Sequence, residues 1–184
     1  MKNEKIKKLV LSAMFAALTT VATLIIQIPS FNKGGYINLG DVVVNVEAWV
    51  LGPLYGAAAA GIGSALADVL SAAGGVVYAP VTLIIKALMA VVSFYIAKGI
   101  SKKFKPIIGR IIGAVVAEIL MASGYALFDA VVLLINGGAA GAITAAVIAD
   151  YTESIIQGTA GVVGSILVYD VILERIPAIK HKKI

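Results

Sequence analysis

The chain has 184 residues, of which 60% are hydrophobic and only 14% charged, and its mean hydropathy is +1.01. A soluble domain carries roughly a quarter of its residues as charged side chains, so this composition predicts an all-α integral membrane protein, read as one domain over residues 1–184. The chain has no cysteine, which excludes disulfides and thiolate chemistry, and its single histidine, His181, excludes His-cluster metal sites.

Six transmembrane helices are predicted, at residues 6–28, 39–52, 53–72, 79–98, 106–135 and 150–173. Most are apolar runs near the roughly 20 residues that a helix needs to cross a bilayer. The region 41–73 is ambiguous, because it is too long for one upright helix and short for two. Gly52-Pro53 lies inside it, and a proline breaks or kinks a helix.

The distribution of basic residues decides between one helix and two in this region. Thirteen of the fifteen Lys and Arg residues fall in three groups, at residues 2–8, 98–110 and 175–183. Two helices hinged at Gly52-Pro53 place all three groups on one side of the membrane, whereas a single helix separates them. The positive-inside rule therefore predicts six helices with both termini in the cytoplasm, in a bacterial-type plasma membrane.

Residues 136–150 form a segment rich in glycine and alanine on the predicted outer side. This segment fits a short re-entrant or interfacial helix, and it also fits an extension of the last span. Asp150 and Glu153 have the D-x-x-E spacing of a capping box, which favours a helix start at Asp150.

Ionisable side chains inside a membrane cost several kcal/mol unless they are paired or hydrated, so they are functional candidates. The candidates within or at the edges of the spans are Glu47, Asp68, Lys86, Glu118, Asp129, Asp150 and Glu153. Glu118 lies near the middle of its helix and is expected to bond a neighbouring helix. Trp49, at the inner end of the second helix, is expected to be an interfacial anchor.

Three helices place polar groups in the outer half of the predicted bundle. Lys86 lies about two turns inside the fourth helix, and Asp129 lies at a similar depth in the fifth, with Tyr125 one turn deeper on the same face. Glu153 and Gln157 are one turn apart on the sixth helix. This pattern predicts a solute pocket open to the outside. The alternative for Lys86 is an internal ion pair with Asp68 or Asp129.

The polar loop at residues 30–41 is expected to cover this pocket as a lid, and the alternative is a plain connector. Tyr36 and Asn38 supply a stacking face and hydrogen-bonding groups there, and neighbouring glycines allow hinge motion. Tyr78 fits either a pocket wall or an anchor at the membrane surface.

Sequence motifs for catalysis are missing from the chain. It has no G-x-x-x-x-G-K-[ST] segment, no G-x-S-x-G segment, and too few histidines for H-E-x-x-H. The chain is therefore predicted not to be an enzyme and to hold no cofactor. A self-sufficient carrier or channel, and a membrane enzyme acting on lipid-like substrates, remain as alternatives to a solute-binding protein.

The assembled features resemble the substrate-binding S component of energy-coupling factor (ECF) vitamin transporters, of the hydroxymethylpyrimidine, pyridoxine and riboflavin group. The resemblance rests on residues 37–41, 51–56, 67–68, 78–86, 124–129 and 157–161, in that order. Ala13 and Ala17 match the small-residue motif by which such components dock on their partner, although packing within the bundle explains the same spacing.

The resemblance implies a subunit that captures a vitamin from outside and works with a transmembrane coupling subunit and two ABC-type ATPases, which use the ATP. It implies a set of ligand contacts: Tyr36, Asn38, Lys86, Tyr125, Asp129, Glu153 and Gln157. Similar proteins often carry asparagine where Glu153 stands, so an acid here indicates a ligand with a hydrogen-bond donor or positive charge, or only a helix cap. These side chains suit a small ring with hydroxyl or amine groups, such as pyridoxine or a hydroxymethylpyrimidine. A flavin would need a roomier pocket.

Overall fold

The computed structural model describes residues 2–30, 36–72 and 75–172, and almost all of them are helical. The elements follow one another in this order: α1 (Lys2–Ile25), β1 (Ile28–Pro29), β2 (Tyr36–Ile37), α2 (Gly40–Leu51), α3 (Pro53–Leu70), a 3-10 turn (Gly75–Val77), α4 (Ala79–Ile100), α5 (Pro106–Ile135) and α6 (Ala140–Ile166). The last helix continues as a π-helical segment at Leu167–Ile172. The strands β1 and β2 form a small antiparallel hairpin.

Within the described residues, five helices are long and apolar enough to cross a membrane. The exception is α2, whose 12 residues span about 18 Å. Ten of its residues are buried, because α1, α3, α4 and α6 all pack around it. The six predicted helices are therefore present, but α2 is a short central helix sheathed by its neighbours.

The predicted break at Gly52-Pro53 is present. Gly52 has a φ of +83°, a left-handed conformation that glycine adopts without steric cost, and Pro53 occupies the first turn of α3, where its missing N–H is harmless. The chain reverses direction here, so α2 and α3 are two separate helices.

Glycines in α3 allow its neighbours to approach closely. A Cβ atom at Gly61 would lie 2.6 Å from the carbonyl oxygen of Leu83 on α4, and one at Gly63 would lie 2.9 Å from Cβ of Thr19 on α1. Backbones can meet at such distances only where a side chain is missing. These glycines therefore serve packing inside the bundle.

The two ends of the bundle differ in character. One end, here called the hairpin end, carries β1 and β2, the end of α3, the start of α4 and the connection between α5 and α6. The other, here called the basic end, carries the start of α1 and the α4–α5 turn. Lys8 of α1 lies over the ring of Tyr55 on α3, and Lys98 near the end of α4 lies over the ring of Phe94 on the same helix.

Two predictions are wrong. The last helix begins at Ala140 instead of Asp150, because Gly137, with a φ of +75°, ends the preceding helix in a tight turn and leaves the alanine-rich segment free to be helical. Asp150 thus lies inside α6 and caps nothing. Trp49 is only 2% exposed, and its indole N–H donates to Ser93 Oγ (3.0 Å), so it is a core residue and not an interfacial anchor.

Replacing Gly61 with alanine should lower the free energy of unfolding by about 1–3 kcal/mol, because the added Cβ meets backbone that cannot move independently. Gly99→Ala on α4 is the matched control, since no described atom lies within 4 Å of its added Cβ. Thermal unfolding in detergent measures both. Equal destabilisation by the two changes would show that the contact between α3 and α4 is not tight.

Candidate substrate-binding cavity

A cavity of about 100 Å³ lies at the hairpin end, between α3, α4, α5 and α6 and beneath β2. All seven side chains predicted as ligand contacts line it: Tyr36, Asn38, Lys86, Tyr125, Asp129, Glu153 and Gln157. Further lining residues are Ser30, Asp68, Tyr78, Thr82, Met121 and Asp150. The structure thus brings the predicted set together around one space, while contact with a ligand remains a prediction.

The floor of the cavity is a buried ion pair between Lys86 on α4 and Asp41 on α2. Lys86 is 4% exposed and Asp41 is fully buried. Gln157 on α6 donates to the second oxygen of Asp41 (2.6 Å), and Met121 Sδ on α5 lies 2.9 Å from the ammonium nitrogen of Lys86. One carboxylate therefore connects α2 with α4 and α6.

Lys86 therefore forms an internal ion pair, but the predicted partners, Asp68 and Asp129, are wrong. Asp68 and Asp129 bond tyrosines instead, and Asp41 takes the ion pair because α2 is buried against α4. Asp41 stands in the first turn of α2, four residues before Asn45 on the same helix face. The spacing of Asp41 and Asn45 indicates a polar face on α2, but it does not identify the helix that this face contacts.

Below the floor, buried polar side chains continue toward the basic end. Asn45 donates to Glu118 Oε1 (3.2 Å) and accepts from Ser93 Oγ (2.8 Å). Gly158 and Gly161 leave room for the Glu118 side chain against α6. Glu118 thus bonds a neighbouring helix, which is the role expected for it, and lies outside the cavity lining.

The roof of the cavity is the β-hairpin. Tyr36 donates to Asp68 Oδ1 (2.7 Å), and the backbone N–H of Asn38 donates to Gln157 Oε1 (2.9 Å). The side chain of Asn38 accepts from the N–H of Gly40 (2.8 Å), so it fixes the turn into α2. Burial and the adjacent Asp68 raise the pKa of Tyr36 well above its ordinary value, so this hydroxyl remains a donor at physiological pH.

One wall of the cavity is aromatic. Tyr78 donates to both oxygens of Asp129 (2.9 and 3.2 Å), and Tyr125 donates to Thr82 Oγ1 (3.0 Å). The rings of Tyr78 and Tyr125 lie edge to face, with centroids 6.4 Å apart. Burial and the nearby Asp129 raise the pKa of Tyr78, which is therefore a neutral donor. Of its two expected roles, Tyr78 takes that of a pocket wall.

Next to these aromatic side chains lie the acids of α5 and α6. Asp129, Asp150 and Glu153 all line the cavity, and Ser30 at the end of β1 donates to Glu153 Oε1 (2.7 Å). Among the residues that the structure describes, no group of three Asp, Glu, His or Cys side chains is arranged to hold a metal ion. The arrangement suits an organic ligand that offers hydrogen-bond donors to carboxylates and a ring to tyrosines.

The sequence analysis missed several contributors to this site, among them Asp41, Thr82, Met121 and Ser30. Met121 and Thr82 face the cavity only because of how α4 and α5 pack, and a lone methionine or threonine in an apolar span carries no signal of its own. Ala13 and Ala17 are not among the residues that line the cavity, and both are exposed on α1.

The fold and the cavity define a multi-pass membrane protein built to bind a small solute at one end of a helical bundle. Residues 3–174 match the family described as the ECF-type riboflavin transporter, S component, and the chain belongs to this family. S components are substrate-binding subunits of transporters and not enzymes, and as a family they work with a coupling subunit and ATPases.

A solved structure shares the fold of this chain, and one further protein is similar to it in sequence. A solved structure, described as the S component of a bacterial ECF transporter, superposes with a TM-score of 0.69 at 22% identity, over 94% of this chain and 99% of that one. A protein of Pyrococcus woesei, described as an uncharacterized protein in the gap 3′ region, is 34% identical over 144 residues, which cover 78% of this chain and 86% of that protein.

Removing the charge of Asp41 should strongly destabilise the protein. Asp41→Asn leaves the Lys86 ammonium buried without its counter-charge, which costs about 3–5 kcal/mol of unfolding free energy. The double variant Asp41→Asn with Lys86→Met removes both charges and should recover much of that loss. Thermal unfolding of the wild type, both single variants and the double variant in detergent measures the coupling. An Asp41→Asn variant as stable as the wild type would show that the ion pair does not stabilise the bundle.

Proposed function

We propose that this S component captures a small heteroaromatic vitamin or vitamin precursor, of the pyridoxine or hydroxymethylpyrimidine type, from outside the cell. The observation that carries the proposal is that Tyr36, Tyr78 and Tyr125 line one cavity together with carboxylates from three helices. Tyrosine rings supply stacking surface for an aromatic ligand. The carboxylates and the hydroxyl of Thr82 offer acceptors to its hydroxyl or amino groups.

The size of the cavity favours the smaller members of this ligand class. Riboflavin is named in the description of the family, and its three-ring system is larger than the single ring of pyridoxine, so it needs a greater opening of this cavity of about 100 Å³. It would fit only after the hairpin, held by Tyr36 and Asn38, moved away from α3 and α6. A single ring with hydroxymethyl groups needs a smaller movement.

The charges of the two ends support an orientation with the cavity facing outward. Basic residues crowd the basic end: Lys5, Lys7, Lys8, Lys98, Lys102, Lys103, Lys105 and Arg110. The positive-inside rule places such an end in the cytoplasm. In a plasma membrane of bacterial type, the hairpin end then meets the exterior, where a scarce nutrient has to be captured.

In this proposal, transport requires partner subunits that contact the protein within the membrane. The proposed partners are a transmembrane coupling subunit and two ABC-type ATPases, and ATP would be hydrolysed only there. Ala13 and Ala17 are exposed one turn apart on α1, so a partner helix can approach the backbone closely at this point.

A thermal-shift screen of vitamins on the purified protein tests the ligand assignment. Pyridoxine or a hydroxymethylpyrimidine should raise the unfolding temperature, because a ligand that binds only the folded state stabilises it. Asp129→Asn should reduce this shift while the ligand-free protein stays folded. A shift produced by riboflavin, with none from the single-ring compounds, would contradict the proposed size class.

Replacing Ala13 or Ala17 with tryptophan should abolish uptake in cells and leave ligand binding unchanged, because the bulky ring blocks a partner helix. Leu18→Trp is the matched control, since Leu18 is 51% exposed and points about 100° further round α1 than Ala17. Loss of ligand binding in the alanine variants would show that the alanines pack the bundle itself. Co-purification of ATPase subunits with the wild type, and not with the variants, gives a second measure.

A further inference from the structure

The connection between α4 and α5 carries a concentration of positive charge at the basic end. Residues 98–105, here called the lysine turn, contain four lysines: Lys98, Lys102, Lys103 and Lys105. No aspartate or glutamate occurs in the sequence between residues 69 and 117, so the helices on either side of the turn bring no negative charge to it until Glu118.

The fold does not use these charges. All four lysines are exposed, and Lys98 lies over the ring of Phe94, which is a neutral side chain, at 5.5 Å. The other three make no hydrogen bond or ion pair with any residue that the structure describes. Arg110, on the first turns of α5, differs from them, because it is buried and pairs with Asp170. The lysines are therefore available to a partner outside the protein.

The backbone of the lysine turn is held in a fixed position. The N–H groups of Lys103 and Phe104 both donate to the carbonyl oxygen of Ile100 (3.0 Å each), which closes the turn. Gly109 lets α5 approach the end of α4 closely, since a Cβ atom there would lie 2.5 Å from the carbonyl oxygen of Ala97. The lysines thus project from a closed turn that is packed between two helices.

The lysine turn lies at the depth of lipid headgroups. The 22 residues of α4 span about 33 Å, and the hydrocarbon core of a bilayer is about 30 Å thick, so the end of α4 reaches the edge of the hydrocarbon. Tyr95, near this end, is 58% exposed, and Phe104, in the turn, is 60% exposed. Exposed tyrosines are typical of the boundary between hydrocarbon and headgroups.

Membrane orientation alone does not account for this arrangement. The positive-inside rule requires basic residues near the ends of the spans, and it makes no demand for an exposed phenylalanine among them. Phe104 stands directly between Lys103 and Lys105. Its ring is removed from water if it lies against acyl chains, which is favourable, and the two flanking ammonium groups are then at the level of the lipid phosphates.

We propose that the lysine turn binds an anionic phospholipid in the leaflet at the basic end. The ring of Phe104 contacts the acyl chains, and the ammonium groups of Lys102, Lys103 and Lys105 bind the phosphate and headgroup. Each basic residue beside an anionic membrane surface contributes roughly fivefold to binding. A choline lipid is a poorer partner, because its headgroup brings a positive charge to the lysines. The proposal is independent of which vitamin the cavity binds.

Native mass spectrometry of the purified full chain in detergent measures this binding, because each bound lipid adds its own mass. Titration with dioleoyl phosphatidylglycerol should give an affinity at least about tenfold above that for dioleoyl phosphatidylcholine. The two lipids have the same acyl chains and differ in headgroup charge, so the ratio of affinities reports the contribution of charge.

Charge variants show where the lipid binds. The double variant Lys102→Gln with Lys103→Gln should lower the affinity for phosphatidylglycerol about tenfold or more, with little change for phosphatidylcholine. The matched control is Lys5→Gln with Lys7→Gln, which removes two exposed charges from α1 at the same end and should leave the affinity nearly unchanged. Thermal unfolding in detergent checks that both double variants are folded, as their exposed positions predict.

The role of Phe104 is tested separately. Phe104→Ala removes the ring and should weaken the binding of both lipids at least about threefold, because contact with acyl chains does not depend on the headgroup. Phe104→Leu keeps a large apolar side chain at the same position and should retain most of the affinity.

Equal affinity of the wild type for the two lipids would overturn the proposal. Equal losses in the two double variants would also overturn it, since binding would then follow the charge of the whole basic end. Displacement of the lipid by millimolar inorganic phosphate, or full affinity in Phe104→Ala, would assign the lysine turn to a soluble anion and reject the lipid. None of these results changes the proposed vitamin capture, which the thermal-shift screen tests.

Discussion

The buried ion pair between Lys86 and Asp41 organises the hairpin end of the bundle. A charged pair away from water is costly unless its remaining hydrogen-bonding capacity is filled, and here Gln157 fills it. The backbone of Asn38 then bonds the same glutamine, so the hairpin is connected to the floor through one side chain. The ion pair and Gln157 thus form a fixed floor for the cavity, and tyrosines and acids from other helices line its sides.

The polar residues of the interior form a path that avoids lipid. From Asp41 and Glu118 it passes through Asn45 and Ser93 to Trp49, and all of these side chains are buried. At the basic end Trp49 packs edge-on against Tyr169, and Arg110 both covers that ring and pairs with Asp170. Both ends of the bundle are therefore held by charged groups, with neutral hydrogen bonds between them.

Sequence patterns predicted most of the fold, because a bilayer requires apolar side chains along each span and favours basic residues on one side. The hinge at Gly52-Pro53 followed from backbone chemistry, and the predicted polar residues converge on one cavity. What failed depended on helix packing. The partner of Lys86 is set by which face of α2 meets α4, and the burial of Trp49 by the short length of α2. The start of α6 was missed because a local capping pattern was given more weight than a continuous helical segment.

The short length of α2 has a consequence for how the protein enters the membrane. A helix of 12 residues that contains Asp41, Asn45 and Glu47 is too short and too polar to be retained by lipid alone. Its stability in the bilayer comes from α3 and α4, which follow it directly along the chain, and from α6, which begins almost 90 residues after α2 ends. The polar centre of the bundle is therefore closed off from the hydrocarbon only after α6 has been synthesised and has packed against α2.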